Sequence, residues 1–445
     1  MKTKIVGVFL CMLLITTGLS ISGTVKEKIF LDDNLINSEI LDGGWIEERN
    51  GVTILHISGT PYEMGYQHGF LLKEKIPICF RILLDFFNES GFSYDDLVDK
   101  WNVFKNYIPE PYMEELQGIV DGSGLTIEEV GVGHIFHDVV NLMECCGGIA
   151  WGSATVDGKL VHLRSGDMRV FLQDPQTGVF LQECQVLCVR NPDNCYASIS
   201  PIMCGDFGTY GGLNEMGISV AENTCHTHDT TLEGTTASAR MRMVLDYASC
   251  AEDAIDILDT NRTCGWNLLI SDGNIPEGFV LEQTANISYL CTHDDPVEST
   301  RPFWMIEDVI RRANCFVSPE CAALERDFYN PSGLRGILRF ILGIESHFVI
   351  WTHYKALSRG FDKNHGKLDL NSTMDMLRHV YRGKNNFVFN IIMKMYFYQP
   401  CHQWVACPET GEMVISFASP ENLAFYEPVH YFNLFELLNS EPPTS

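Results

Sequence analysis

Two adjacent thiols, a guanidinium and a carboxylate bracket one stretch of the sequence. It runs from Cys145-Cys146-Gly147-Gly148-Ile149-Ala150-Trp151 to Val161-His162-Leu163-Arg164-Ser165-Gly166-Asp167. Both flanks are apolar and β-rich. Asp157-Gly158 between them is a strong hairpin-turn pair, because both central positions tolerate φ > 0. Folded as a hairpin, the stretch gathers a thiol, a fixed cation and a carboxylate at one end. A cation beside a thiol favours the thiolate, which is the nucleophilic form. The chemistry this points to is attack by a cysteine on an electrophilic carbon. A second hairpin, Gly211 to Asn223 with its tight turn at Asn214-Glu215-Met216-Gly217, leaves Asn223 at the far end of its outgoing strand.

The rest of the chain must position these groups. It has 445 residues, 45% hydrophobic and 20% charged, which describes a globular protein. A net charge of −27 excludes nucleic acid as a partner, since no basic excess exists to neutralise phosphates. Residues 1–23 read as an export signal: Lys2 and Lys4, the apolar run Ile5 to Leu14, then a small-residue stretch to Gly23. The expected location is secreted or extracytoplasmic, with membrane attachment only through an uncleaved signal, because the apolar run is short for a spanning helix. Of 16 cysteines, Cys11 lies in the signal; the odd remainder predicts disulfides and at least one unpaired thiol. Asn88, Asn261, Asn286 and Asn371 stand in glycan-acceptor triplets.

Alternation predicts a strand at 52–58. Gly59-Thr60-Pro61-Tyr62-Glu63-Met64-Gly65-Tyr66-Gln67-His68-Gly69 then leads into a helix over 70–87. Further helices are predicted over 93–110, from 112 to about 122, and over 126–141, the last opened by the capping box Thr126 to Glu129. His134 and His137 share a face of that helix with Asp138 beside them, but no third ligand is evident. Cys225, His226 and His228, and likewise Cys401, His402 and Cys407, lack four-ligand spacing, so neither metal nor cofactor is expected. Strands are predicted at 179–189, 196–202, 266–273, 278–282, 403–407 and 412–417, with helices over 236–250, 251–258 and most of 301–345.

These residues resemble the cysteine N-terminal-nucleophile hydrolases, the group holding choloylglycine hydrolases, penicillin V acylases and isopenicillin-N acyltransferases. Their Arg-Asn-x-Asp reads Arg164-Ser165-Gly166-Asp167 here, and their Gly-x-Asn-Glu-x-Gly reads Gly212-Leu213-Asn214-Glu215-Met216-Gly217. The Gly59–Gly69 stretch and Gly118-Ile119-Val120-Asp121-Gly122-Ser123-Gly124-Leu125 are similar to the acyltransferase branch, in which a propeptide precedes the nucleophile. The resemblance implies an α/β fold, a four-layer αββα sandwich of two mainly antiparallel sheets. It implies a signal at 1–23, a propeptide-like helical segment at 24–144 packed on the main domain, and a catalytic domain at 145–445. It implies scission just before the cysteine, whose new α-amine serves as base for its own thiol. Arg164 would favour the thiolate, Asp167 would hold the amine, and Asn223 would donate to the oxyanion. The implied substrate is a small-molecule N-acyl amide or peptide, cleaved at a linear C–N bond through a thioester.

Either Cys145 or Cys146 can fill the nucleophile's place. Counted back from Gly158 as the turn, strand parity favours Cys146, with Ile149 third after it. Ser165 replaces the usual Asn, and His293 stands where the group often has Asn. A second class stays open: a non-catalytic, disulfide-stabilised binding or surface protein on the same fold.

Overall fold

The computed structural model describes residues 41, 43–139, 144–325, 338, 347–382 and 398–442. The export signal lies outside these residues. Two sheets form the middle of the molecule. The larger runs β1 (Trp45–Arg49), β2 (Val52–Gly59), β5 (Gln185–Pro192), β6 (Ser198–Met203), β7 (Gly211–Asn214), β8 (Ile218–Thr224), β9 (Trp266–Asp272), β10 (Glu277–Gln283) and β11 (Ser288–Cys291). The smaller runs β12 (Val309–Arg312), β3 (Glu144–Ala150), β4 (Val161–Arg169), β13 (Tyr398–Cys407), β14 (Glu412–Phe417) and β15 (His430–Asn433). Among the described residues, all pairings between these strands are antiparallel except β2 with β5.

The alternation of side chains explains the layers. Ile149, Ala221, Leu269, Trp404 and Ile415 pack between the sheets. Val220, Leu268 and Ile270 turn the other way, onto the helices Ala237–Tyr247 and Ala251–Leu258. Cys146, Ala150 and Leu163 turn onto the helices His347–Asn364 and Leu370–Tyr381. The order is therefore helix, sheet, sheet, helix, as expected.

The N-terminal segment differs from a purely helical layer, because β1 and β2 are built into the larger sheet and β2 pairs with β5 from Ile54↔Leu187 to Gly59↔Pro192. Its Gly59–Gly69 stretch is not a connector. It is itself a helix, α1 (Pro61–Leu71), opened by a capping box between Thr60 and Glu63. The glycines serve packing: a Cβ on Gly65 would fall 1.9 Å from Glu115 O, and one on Gly118 would fall 2.3 Å from Tyr62 O. Two helices, α1 and Glu110–Ser123, thus cross with backbones in contact. Residues 179–184 form no strand; Leu181–Cys184 is a 3-10 turn, and the strand starts at Gln185. Within 301–345 the described residues include the strand β12, which pairs with β3, instead of a continuous helix. The other strands and helices predicted between 196 and 283, and the pair 403–407 with 412–417, are where the sequence placed them.

Candidate functional site

The hairpin that carries the thiols forms, but not by a two-residue turn. β3 and β4 pair from Glu144↔Asp167 to Ala150↔Val161, and residues 151–160 loop between them through a 3-10 turn at Gly152–Ala154. Gly158 lies inside that loop, at φ +79°. Parity counted from Gly158 therefore does not report the face on which a cysteine points.

The faces are set by the ladder instead. Cys145, Gly147 and Ile149 look into the space between the sheets; Cys146, Gly148 and Ala150 look toward the helical layer. Across the ladder, Arg164 shares the inner face. Its Nη2 donates to Cys145 Sγ at 3.4 Å and to Glu222 Oε1 at 2.5 Å, and its Nε donates to the Glu222 carbonyl at 3.1 Å. Cys146 Sγ lies 3.5 Å from the Tyr381 hydroxyl on the other face. Both cysteines are fully buried.

Asp167 takes the outer face. Its carboxylate accepts from Ser165 Oγ at 2.8 Å and Tyr381 Oη at 2.7 Å. Burial pushes its pKa up to about 7, against the pull of those hydroxyls and of Arg164. Glu222 is raised by burial, with Arg164 opposing. Burial also raises the Cys145 thiol well above its ordinary range; the Glu222 charge adds to this, while Arg164 and the Asp167 backbone N–H act in the opposite sense. In this uncut chain the site therefore holds a neutral thiol beside a buried ion pair.

Asn223 lies on β8, which packs against β3, on the same face as Ala221. Neither its amide nitrogen nor its amide oxygen has a hydrogen-bond partner among the described residues, although the side chain is fully buried. An orphaned buried donor is costly, and it is available to an oxygen that acquires charge.

Four residues of the site escaped sequence reasoning. Asn314 accepts from the Cys145 backbone N–H at 2.8 Å and donates to Thr224 O at 2.9 Å. It lies two residues beyond β12, after Arg311-Arg312-Ala313, where no local pattern marks it. The sequence signal that could have found Glu222 is its place beside Asn223, an acid next to a candidate donor. His402 and Tyr381 reach the site from β13 and from the end of the helix Leu370–Tyr381. His293, by contrast, lies 3.8 Å from Asp308 and edge-on to Trp151. His134 bonds Asp206 and Thr236, and His137 packs on Phe136 and Tyr210. The cysteines from Cys79 to Cys407 are all free thiols in this structure.

Comparison with known proteins bears on residues 162–332, which match the model of the acyl-coenzyme A:6-aminopenicillanic acid acyl-transferase family. That span holds Arg164, Asp167, Glu222, Asn223 and Asn314 and begins after both cysteines. The chain is 26% identical over 281 residues to an uncharacterized protein of Archaeoglobus fulgidus, covering 53% of this chain and 44% of the relative. It is 25% identical over 308 residues to protein dcd1B of Dictyostelium discoideum, covering 62% of this chain and 59% of the relative. The chain spans about half the length of the curated relatives it matches. Among solved structures, a Caenorhabditis elegans N-acylethanolamine-hydrolyzing acid amidase ortholog is 13% identical at a TM-score of 0.37, over 65% of this chain and 100% of that one. A variant conjugated bile acid hydrolase from Clostridium perfringens is 14% identical at 0.36, over 65% and 93%. Residues 162–332 thus carry the pattern of the acyl-coenzyme A:6-aminopenicillanic acid acyl-transferase family, the group to which the two hairpins bear their resemblance in the sequence.

Proposed function

We propose that this protein is a cysteine-dependent amidohydrolase or acyltransferase that cleaves a linear N-acyl C–N bond, with Cys145 as nucleophile. The observation that carries the reading is the convergence on one residue: Arg164 Nη2 stands 3.4 Å from Cys145 Sγ while Asn314 Oδ1 stands 2.8 Å from Cys145 N. Parity from Gly158 favoured Cys146, yet Cys146 faces the helical layer, away from Arg164.

In the proposed cycle water first hydrolyses the bond between Glu144 and Cys145, leaving a carboxylate on Glu144 and turning the Cys145 amide nitrogen into an α-amine. Such an amine has an unperturbed pKa of about 7.7–8.0, close to working pH and suited to a general base. It takes the proton of Sγ, and the thiolate beside Arg164 attacks the substrate's acyl carbon. Asn223 donates to the oxyanion, an interaction typically worth about 10²–10³ in rate. The C–N bond then breaks, the ammonium returns its proton to the leaving amine, and a thioester remains on Cys145. Water completes hydrolysis; a second amine completes acyl transfer. The substrate class is a small-molecule N-acyl amide or peptide, and the chain is proposed to be exported through residues 1–23.

The test is the mass and N-terminal sequence of the purified protein, with turnover of an N-acyl 4-nitroanilide. A chain beginning at Cys145, lost in Cys145→Ala and kept in Cys146→Ala, is the expected result. A chain beginning at Cys146, or turnover surviving Cys145→Ala, refutes the assignment. An unbroken chain without turnover favours a binding protein on this fold.

A further inference from the structure

We propose that His402 is a positioning residue that, as a neutral imidazole in one fixed tautomer, holds the Arg164 guanidinium against Cys145. This rests on Cys145 being the reactive thiol.

The tautomer follows from donor and acceptor inventories. A guanidinium has only donors, so the 2.8 Å contact between Arg164 Nη1 and His402 Nε2 requires a lone pair on Nε2. The ring proton must then sit on Nδ1, which lies 2.7 Å from Gln185 Oε1. The Gln185 amide cannot be turned round, because its Nε2 donates to the Gln182 and Cys401 carbonyls at 3.2 and 3.3 Å. Hydrogen bonds thus run in a fixed sense: His402 donates to Gln185, and Arg164 donates to His402 with one nitrogen and to Cys145 with the other. Burial, and secondarily the Arg164 charge, hold the imidazole well below its ordinary pKa.

Two backbone features exist at this contact. The β4–β13 ladder passes from Asp167↔Pro400 to Gly166↔His402, so Cys401 is an extra residue. A bulge re-aims the side chains that follow it, and here it turns His402 onto the inner face with Arg164. Opposite it, a Cβ on Gly166 would fall 2.7 Å from His402 Nε2 and 2.8 Å from Arg164 Nη1. The bulge aims the ring and the glycine makes room for it. The charged groups around Cys145 are then Arg164, Glu222 and Asp167.

The test compares His402→Phe, which removes the acceptor, with His402→Gln, which offers an amide oxygen. The rate of iodoacetamide alkylation of Cys145 is followed against pH by peptide mass, beside kcat and KM for the nitroanilide. The expected result for His402→Phe is a thiol midpoint about one unit higher and a kcat about tenfold lower at unchanged KM, one unit being a factor of ten; His402→Gln returns toward wild type. A His402→Phe profile superimposed on wild type, or no recovery in His402→Gln, overturns the proposal. Should His402→Phe not fold, Gln185→Leu must shift the midpoint in the same direction, and an unshifted one overturns it equally. Alkylation needs no turnover, so the arms separate. A shifted midpoint in a protein without amide turnover supports the role of His402 and sinks the catalytic reading.

Discussion

Replacing Arg164 with Met tests whether the centre of the site is electrostatic. Arg164 and Glu222 are both fully buried and paired at 2.5 Å. Removing one partner of such a pair leaves an uncompensated charge and typically costs about 3–5 kcal/mol. At about 2 °C per kcal/mol, the low end for larger domains, that is a fall of roughly 6–10 °C in Tm. The sign of its pH dependence is fixed. Burial already raises the Glu222 carboxyl against the pull of Arg164, and losing that cation raises it further. A carboxyl with a raised folded pKa stabilises below its unfolded pKa and loses that contribution as pH rises through the folded value. Arg164→Met must therefore be penalised more at pH 8 than at pH 5. Adding Glu222→Gln removes the stranded charge, so the double variant should regain more than half of the lost Tm while turnover stays absent, because Cys145 still lacks its cation. Melting curves at both pH values, with Cys145 alkylation, provide the readout. An Arg164→Met protein that melts like wild type at pH 8, or a double variant no more stable than the single, refutes the reasoning.

Asp167→Asn, in a Cys145→Ala background that keeps the chain uncut, should flatten the pH dependence of Tm. The Asp167 pKa rises from 3.8 to about 7, so its contribution, on the order of 4 kcal/mol, is present below pH 3.8 and is lost as pH climbs through about 7; an unchanged pH–Tm profile would count against this. Asn223→Ala should lower kcat by about 10²–10³ with little change in KM and without lowering Tm, since neither amide atom has a partner to lose; a KM effect alone would contradict an oxyanion role. Gly65→Ala should cost at least about 1–3 kcal/mol by overpacking, because its Cβ would meet backbone 1.9 Å away. Gly133→Ala, with nothing within 4 Å, should be neutral or stabilising by about 0.5–1 kcal/mol. Equal melting curves for the two variants would refute the packing argument.

The legible parts of this molecule were those written in local pattern. Short apolar runs on either side of turn residues marked the paired strands from 266 to 283 and from 403 to 417, and the order of the two hairpins carried the layered fold. What escaped was set by long-range register. Which cysteine faces Arg164 depends on where β3 and β4 pair, and Asp157-Gly158, a strong turn by composition, lies inside a longer loop instead of closing the ladder. His402 could not be assigned to the site from its neighbours, because a single extra residue at Cys401 decides its face. The stretch 59–69 reads as the lead into a helix that starts at 70, yet the helix already begins at Pro61; the backbone that Gly65 and Gly69 approach, at Glu115 and Ile119, is invisible to a local window.

The place of β2 beside β5 has a consequence for a chain cut before Cys145. The released N-terminal fragment would remain as a guest strand, held by a parallel ladder from Ile54 to Gly59 and flanked by Leu187 and Val189 in the common core. Its departure would bare the edge of β5 and the apolar faces on both sides of it, the kind of surface that seeds strand-to-strand aggregation. Maturation on this architecture would divide the covalent chain without dividing the folding unit, and the two products would denature together in one transition.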